Sequence, residues 1–249
     1  MSGPLRYEWV RITTVRSTWV LIALGALVPA GLVLFVTWLV NTAGDAAGGP
    51  PEGTTTGFAG FLSLVAAVLC TIGAASFGQE YRHGLIRITL STYPKRLPVF
   101  LAKAIMVAVF IAVAAVIAIA CIVLSEALGA MLAGKGLIWD DSALGTPGLL
   151  AVLYVVIFVL MAFAISALTR NQPVGIIVPI VLAVLVEPIV STVAYVQDWT
   201  WIDWVLPFTG ATAAVGAEGA EAWGHIGVFF LWFLVLAIPA LVLFQRRDA

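Results

Sequence analysis

The sequence predicts an all-α polytopic membrane protein: six transmembrane helices, an N-terminal interfacial amphipathic helix, and N and C termini both cytoplasmic. Three observations predict it. Mean hydropathy is +1.11, and 62% of the 249 residues are hydrophobic against 10% charged, whereas soluble chains are roughly 45–50% apolar and about 25% charged. The charges are gathered between long uncharged runs, the pattern of repeated spans. The basic residues, finally, fall almost entirely on alternate connections.

About 20 apolar residues cross a bilayer core at 1.5 Å per residue. The segments 19–40, 57–77, 99–124, 148–168, 173–193 and 226–244 meet that length, and residues 1–249 read as a single transmembrane domain. All six are expected to be helices, because backbone polar groups in lipid must be satisfied internally. The first apolar run is 22 residues, longer than the roughly 7–15 of a signal-peptide core, so it reads as a retained span. Ahead of it, residues 4–17 carry Leu5, Trp9 and Ile12 at i, i+4 and i+7, with Arg6, Arg11 and Arg16 between them. That pattern predicts a helix lying in the interface, apolar face in lipid and cations at the headgroups; the alternative is a disordered basic tail. Lys103, near the start of the third span, is expected to snorkel to the headgroups. Cys70 and Cys121 each fall inside a span and read as small apolar packing residues.

With the N-terminus inside, eleven of the twelve Lys and Arg residues are cytoplasmic, and only Lys135 lies outside. Nine of thirteen acids (Asp45, Glu52, Glu126, Asp140, Asp141, Asp198, Asp203, Glu218 and Glu221) fall on the other side. The basic bias sets the orientation. The 41–56 connection is rich in Gly, Pro and Thr and reads as a flexible loop. The segment 194–225 reads as external, with a re-entrant course left open. It carries Trp199, Trp201, Trp204 and Trp223, where interfacial aromatics belong.

The cytoplasmic connection 78–98 is out of character with the rest. Between Phe77 and Lys103 six charged residues crowd together, five of them basic. Such a loop can be a topology determinant and nothing more. Three features argue for a rigid knob. Gly84 permits a tight turn. Leu85 to Ser91 can form a short amphipathic helix, ending before Tyr93-Pro94, where proline disfavours continuation. Glu80 sits at the membrane border among cations, able to pair locally.

The run Glu80-Tyr81-Arg82, Gly84, Ile86-Arg87, Thr89-Leu90-Ser91, Pro94, Arg96 and Ala102-Lys103 resembles the signature of ABC-2 type transporter permeases. Leu85 stands where that family commonly has threonine, which removes a cap from the comparison. Leu206-Pro207-Phe208 resembles, less specifically, the family's segment before its last span, where short re-entrant helices occur. The resemblance implies that 78–98 is a coupling loop seated in a groove of a separate ATP-binding-cassette ATPase subunit, with Glu80, Arg82, Gly84, Leu85 and Arg87 as coupling residues. It also implies a second permease chain, identical or not, and ATP and Mg on the partner subunit, with no cofactor in this chain.

Other motifs carry less. Gly129 to Lys135 fits the first seven positions of a phosphate-binding loop, but Gly136 stands where Ser or Thr should reach Mg²⁺, and no strand precedes it. His83 and His225 fall on opposite sides, so no zinc site or His-based catalytic pair is expected. Glu187 is the ionisable residue placed well inside a span, beside Pro188 and two turns after Pro179. It reads either as a lining group of a transport path, together with Pro188, or as a structural carboxylate bonded to neighbouring helices. Ala108, Ala112, Ala115 and Ala118 fall at helical spacing and suit close helix contact, within the chain or across a dimer seam.

The leading expectation is therefore a non-enzymatic permease subunit in a bacterial plasma membrane. It would be energised by a separate ATPase and export an apolar or amphipathic substrate, with no nucleic-acid partner. The alternative is an ATP-independent carrier or channel using Glu187.

Overall fold

The computed structural model describes residues 3–47, 55–93, 95–135, 145–199, 201–217 and 219–246. The Gly/Pro-rich stretch 48–54 with Glu52, Pro94 of the loop motif, Gly136, Asp140, Asp141, Glu218 and Arg247 lie outside them. The described residues contain no strand. In order they form α1 (Gly3–Thr14), α2 (Arg16–Ala47), α3 (Thr55–Arg82), α4 (Leu85–Thr92), α5 (Arg96–Leu132), α6 (Thr146–Thr169), α7 (Gln172–Val181), a π-helical turn (Leu182–Val186), α8 (Glu187–Val196), a 3₁₀ turn (Ile202–Trp204), α9 (Pro207–Gly216) and α10 (Gly219–Arg246). Six helices, Arg16–Ala43, Gly60–Arg82, Arg96–Leu132, Thr146–Thr169, Gln172–Val196 and Gly219–Arg246, are long and apolar enough to cross a membrane.

The helices outrun the apolar stretches that betray them. The third span was expected at 99–124, yet α5 covers 37 residues, about 55 Å at 1.5 Å each. It starts at Arg96 because Pro98 sits in the first turn, where no helical N–H partner is lost. At its far end it continues through Ser125–Leu132, part of what reads in sequence as a connection. The 41–56 connection is likewise shortened, since α2 runs to Ala47 and α3 begins at Thr55.

Span four is the axis of the bundle. In α6, 78% of the most apolar window is buried, against 17% for span five. It ends at Arg170, whose φ of 55° turns the chain. Asn171 then caps α7, its side chain accepting from Val174 N–H at 3.3 Å. A two-residue turn thus sets spans four and five antiparallel. Small residues bring other helices together. A Cβ at Gly129 of α5 would stand 2.9 Å from the Leu34 carbonyl oxygen of α2, so backbones meet there as small residues allow. The alanine stripe is part of the same interior: Ala115 and Ala118 are buried and Ala108 and Ala112 half-buried, which makes it intramolecular packing.

Aromatic clusters cement the two ends. Beneath α4, the Phe77 ring lies 5.1 Å from Phe163, 5.2 Å from Phe244 and 5.5 Å from Phe100, joining spans two, three, four and six. At the other end Phe158 meets Phe208 at 4.9 Å, and Phe208 meets Phe229 at 5.4 Å. These contacts seat α9 against spans four and six. The described residues around α9 are accordingly packed back against the bundle. Trp204 stacks on His225 at 4.1 Å, and Trp232 Nε1–H donates to the Val205 carbonyl at 3.0 Å. Cys70 is buried, Cys121 half-buried, and both are free thiols.

Candidate functional site

The end of span two turns into α4 through Gly84, whose φ of 68° is left-handed backbone that costs glycine nothing. The turn is closed by His83 N–H to the Gln79 carbonyl at 3.0 Å and by Gly84 N–H to the Tyr81 carbonyl at 3.3 Å. The expected helix from Leu85 is there, one residue longer than the sequence suggested. Its inner face, Ile86 and Thr89, is buried. Its outer face presents Leu85 at 44% exposure and Ile88 at 64%, with Arg87 beside them and Arg82 just before the turn. The knob's exit is tied down as well: Arg96 donates to the Phe244 and Gln245 carbonyls at 3.0 and 3.2 Å, which anchors it to the end of α10.

Under the knob lies an ion cluster that joins three elements. Lys103, expected to snorkel, is instead fully buried. Its Nζ lies 2.6 Å from Glu8 Oε1 of α1 and 2.5 Å from Glu80 Oε1 of α3. Arg11 closes the ring, 2.7 Å from Glu8 and 3.2 Å from Glu80, and it donates to the Ser76 hydroxyl and carbonyl at 3.0 and 3.1 Å. The formal charges sum to zero, and buried ions persist only when so matched. Inward pairing wins over snorkelling because two carboxylates stand within reach of one ammonium. Arg11 is correspondingly turned in, away from the headgroups it was expected to meet.

The five loop residues singled out in sequence therefore divide. Arg82, Gly84, Leu85 and Arg87 lie on the exposed surface, whereas Glu80 is buried at the root of the knob. The residue missed in sequence is Glu8. Its signal was present: an acid four positions before Ile12 shares the face of α1 that turns into the protein.

At the opposite end, span five is interrupted. Pro188 cannot donate to the carbonyl four residues back, and the preceding turn widens so that Glu187 N–H bonds the Leu182 carbonyl, five back. Glu187 is buried, and its Oε2 accepts from Phe208 N–H at 2.9 Å and Thr209 N–H at 2.7 Å. A carboxyl group from span five thus caps the N-terminus of α9, where orphan donors and the helix dipole favour it. Pro188 lines a groove of about 450 Å³ between α3, span five and α9. Of the two readings left open in sequence, the geometry supplies the structural one for Glu187 and leaves the groove to Pro188 and its neighbours.

Residues 47–249 match the family model described as a protein of unknown function, DUF2705. The chain belongs to the DUF2705 family. No curated protein matches the chain. The DUF2705 region contains α4 with Glu80 and Lys103, as well as Glu187 and the groove, while Glu8 and Arg11 precede it. The cluster therefore joins the N-terminal helix of this DUF2705 protein to the part that defines the family.

Proposed function

We propose that this chain is the membrane-spanning permease subunit of an ATP-binding-cassette exporter, energised by a separate ATPase subunit that docks on α4. The observation that carries the reading is α4 itself: a short helix perched between spans two and three with an apolar and cationic outer face. Leu85 and Ile88 supply anchors one turn apart, as helix-in-groove docking requires. Arg82 and Arg87 supply charge for orientation and on-rate. The resemblance of Glu80 to Lys103 to the ABC-2 permease signature points the same way. ATP and Mg belong to the partner, and a second permease chain completes the path. The cargo is apolar or amphipathic, in keeping with six nearly uncharged spans.

In this reading Glu80 is a positioning residue. Force on α4 passes through the Gly84 turn to the end of span two, and the ion cluster hands it to span three and α1. The ATP-independent alternative is less well supported, because the Glu187 carboxyl group is engaged by α9 instead of standing free.

The test is purification of the tagged chain, expressed with its neighbouring genes, in mild detergent. A stoichiometric ATPase is expected, lost in Ile88→Asp with Arg87→Glu while the thermal midpoint of the chain is unchanged. Purification of the chain alone, with solute movement in liposomes without ATP, would overturn the proposal.

A further inference from the structure

The groove at the end opposite α4 has an unusual polarity. Its wall carries four hydroxyls, Ser63, Ser191, Thr209 and Thr212, set among Ala183, Pro188, Phe208 and Ala213. A hydroxyl has one proton to donate and lone pairs to accept. Here the protons are committed inwards. Ser191 donates to the Glu187 carbonyl at 2.6 Å and Thr212 to the Thr209 carbonyl at 2.8 Å. The Thr209 main-chain N–H is likewise committed, to the Glu187 carboxyl group at 2.7 Å. Ser63 and Tyr154 share one bond at 2.9 Å, which with the Thr209 hydroxyl leaves at most two hydroxyl protons for the groove against four hydroxyl oxygens. No Lys or Arg is among its described lining residues, and the Glu187 carboxyl group stands just behind Phe208 and Thr209. The surface offers more acceptors than donors.

We infer that this groove binds amphipathic amines: a protonated primary or secondary amine whose N–H groups meet the hydroxyl oxygens, on an apolar body that covers Phe208 and Pro188. An anion would face lone pairs and a carboxyl group with no cation to offset them. A quaternary ammonium brings the charge but no N–H, so it separates attraction from donation. The chemistry rests on the four hydroxyls; only the description of this ligand as cargo rests on the permease reading.

The experiment measures binding of radiolabelled dodecylamine to the purified chain in phosphatidylcholine nanodiscs. Saturable binding is expected. Dodecyltrimethylammonium should bind about 10- to 100-fold more weakly, the worth of a hydrogen bond from a charged donor, and dodecanoate should not compete. The Ser191→Ala/Thr212→Val variant removes two acceptors whose protons serve only their own helix. It should weaken dodecylamine binding about tenfold or more with the thermal midpoint held. Equal binding of the trimethyl compound, or unchanged binding by this folded variant, would overturn the inference. Phosphatidylethanolamine added to the discs separates the sources: competition assigns the site to a lipid headgroup amine, its absence to a free amine, and either supports the amine class. Because ATPase capture is read in a different experiment, amine binding retained without any ATPase partner would sink the permease reading alone.

Discussion

Lys103 and Glu8, 95 positions apart in the chain, meet at 2.6 Å inside the protein. Their contact makes the N-terminal helix part of the bundle and not a float on its surface. The same ammonium holds Glu80, so removing it leaves two carboxylates against the single Arg11 guanidinium, one negative charge in excess. Lys103→Met is therefore expected to destabilise the chain by about 3–5 kcal/mol, the usual cost of breaking a buried pair from one side. Adding Glu80→Gln alone returns the cluster to neutrality, with Arg11 paired to Glu8, and should restore much of the loss. Unfolding midpoints in mixed micelles read both effects, and a single variant as stable as the parent would refute the charge matching.

Glu8→Gln alone keeps the shape and removes one charge. It should loosen α1 while sparing the spans, because α1 has only Ile12 as a further buried side chain. Hydrogen exchange of α1 amides is expected to rise about tenfold for each 1.4 kcal/mol lost. Exchange in α6 should stay constant.

Glu187→Ala removes the cap of α9 and should cost about 0.5–2 kcal/mol, seen first as faster exchange at Phe208 and Thr209. Glu187→Gln keeps an acceptor and should cost less. If Glu187 were a proton-transfer site, the glutamine variant would abolish transport as completely as alanine does; the capping geometry predicts that it will not.

Gly78 and Gly227 make a paired test of packing. A Cβ at Gly78 would stand 2.6 Å from Gln172 Cα, where only backbone could give way, whereas nothing lies within 4 Å of one at Gly227. Gly78→Ala should be destabilising, by about 1–3 kcal/mol on the usual scale of overpacking. Gly227→Ala should be neutral or stabilising by up to about 1 kcal/mol, since alanine is the better helix former. Thermal midpoints of the two variants should move in opposite directions or, at the least, differ by this margin.

Composition and run length sufficed for the six spans, because a membrane leaves so few options to a backbone. The α4 knob was legible for a local reason: Gly84, an amphipathic stretch and a proline sit within ten residues. The ion cluster was not. Its members come from positions 8, 11, 80 and 103, and local rules for each gave a different answer, snorkelling for Lys103 and headgroup contact for Arg11. Pairing between them is a property of the packed bundle. Glu187 shows the same limit. Its partners follow 21 and 22 residues later, on a helix whose sequence, Pro207 to Gly216, announces a start but not what will cover it. The far ends of α5 and α10 were missed for another reason: Glu126 and His225 interrupt the apolar runs in sequence, yet both are buried by packing against neighbouring elements.

The widened turn before Glu187 holds a spare residue. Span five contains one more amino acid there than an unbroken α-helix of the same course would need. A deletion of Val184 would let the turn close into ordinary α-helix with every side chain beyond it keeping its facing, whereas a deletion earlier in the span, within α7, would swing them by about 100° around the axis. Only that second change would carry Glu187 away from α9 and Ser191 away from the groove. The widened turn is consequently a place where span five can lose a residue without rewiring the end of the bundle opposite α4, while the regular helix before it is not.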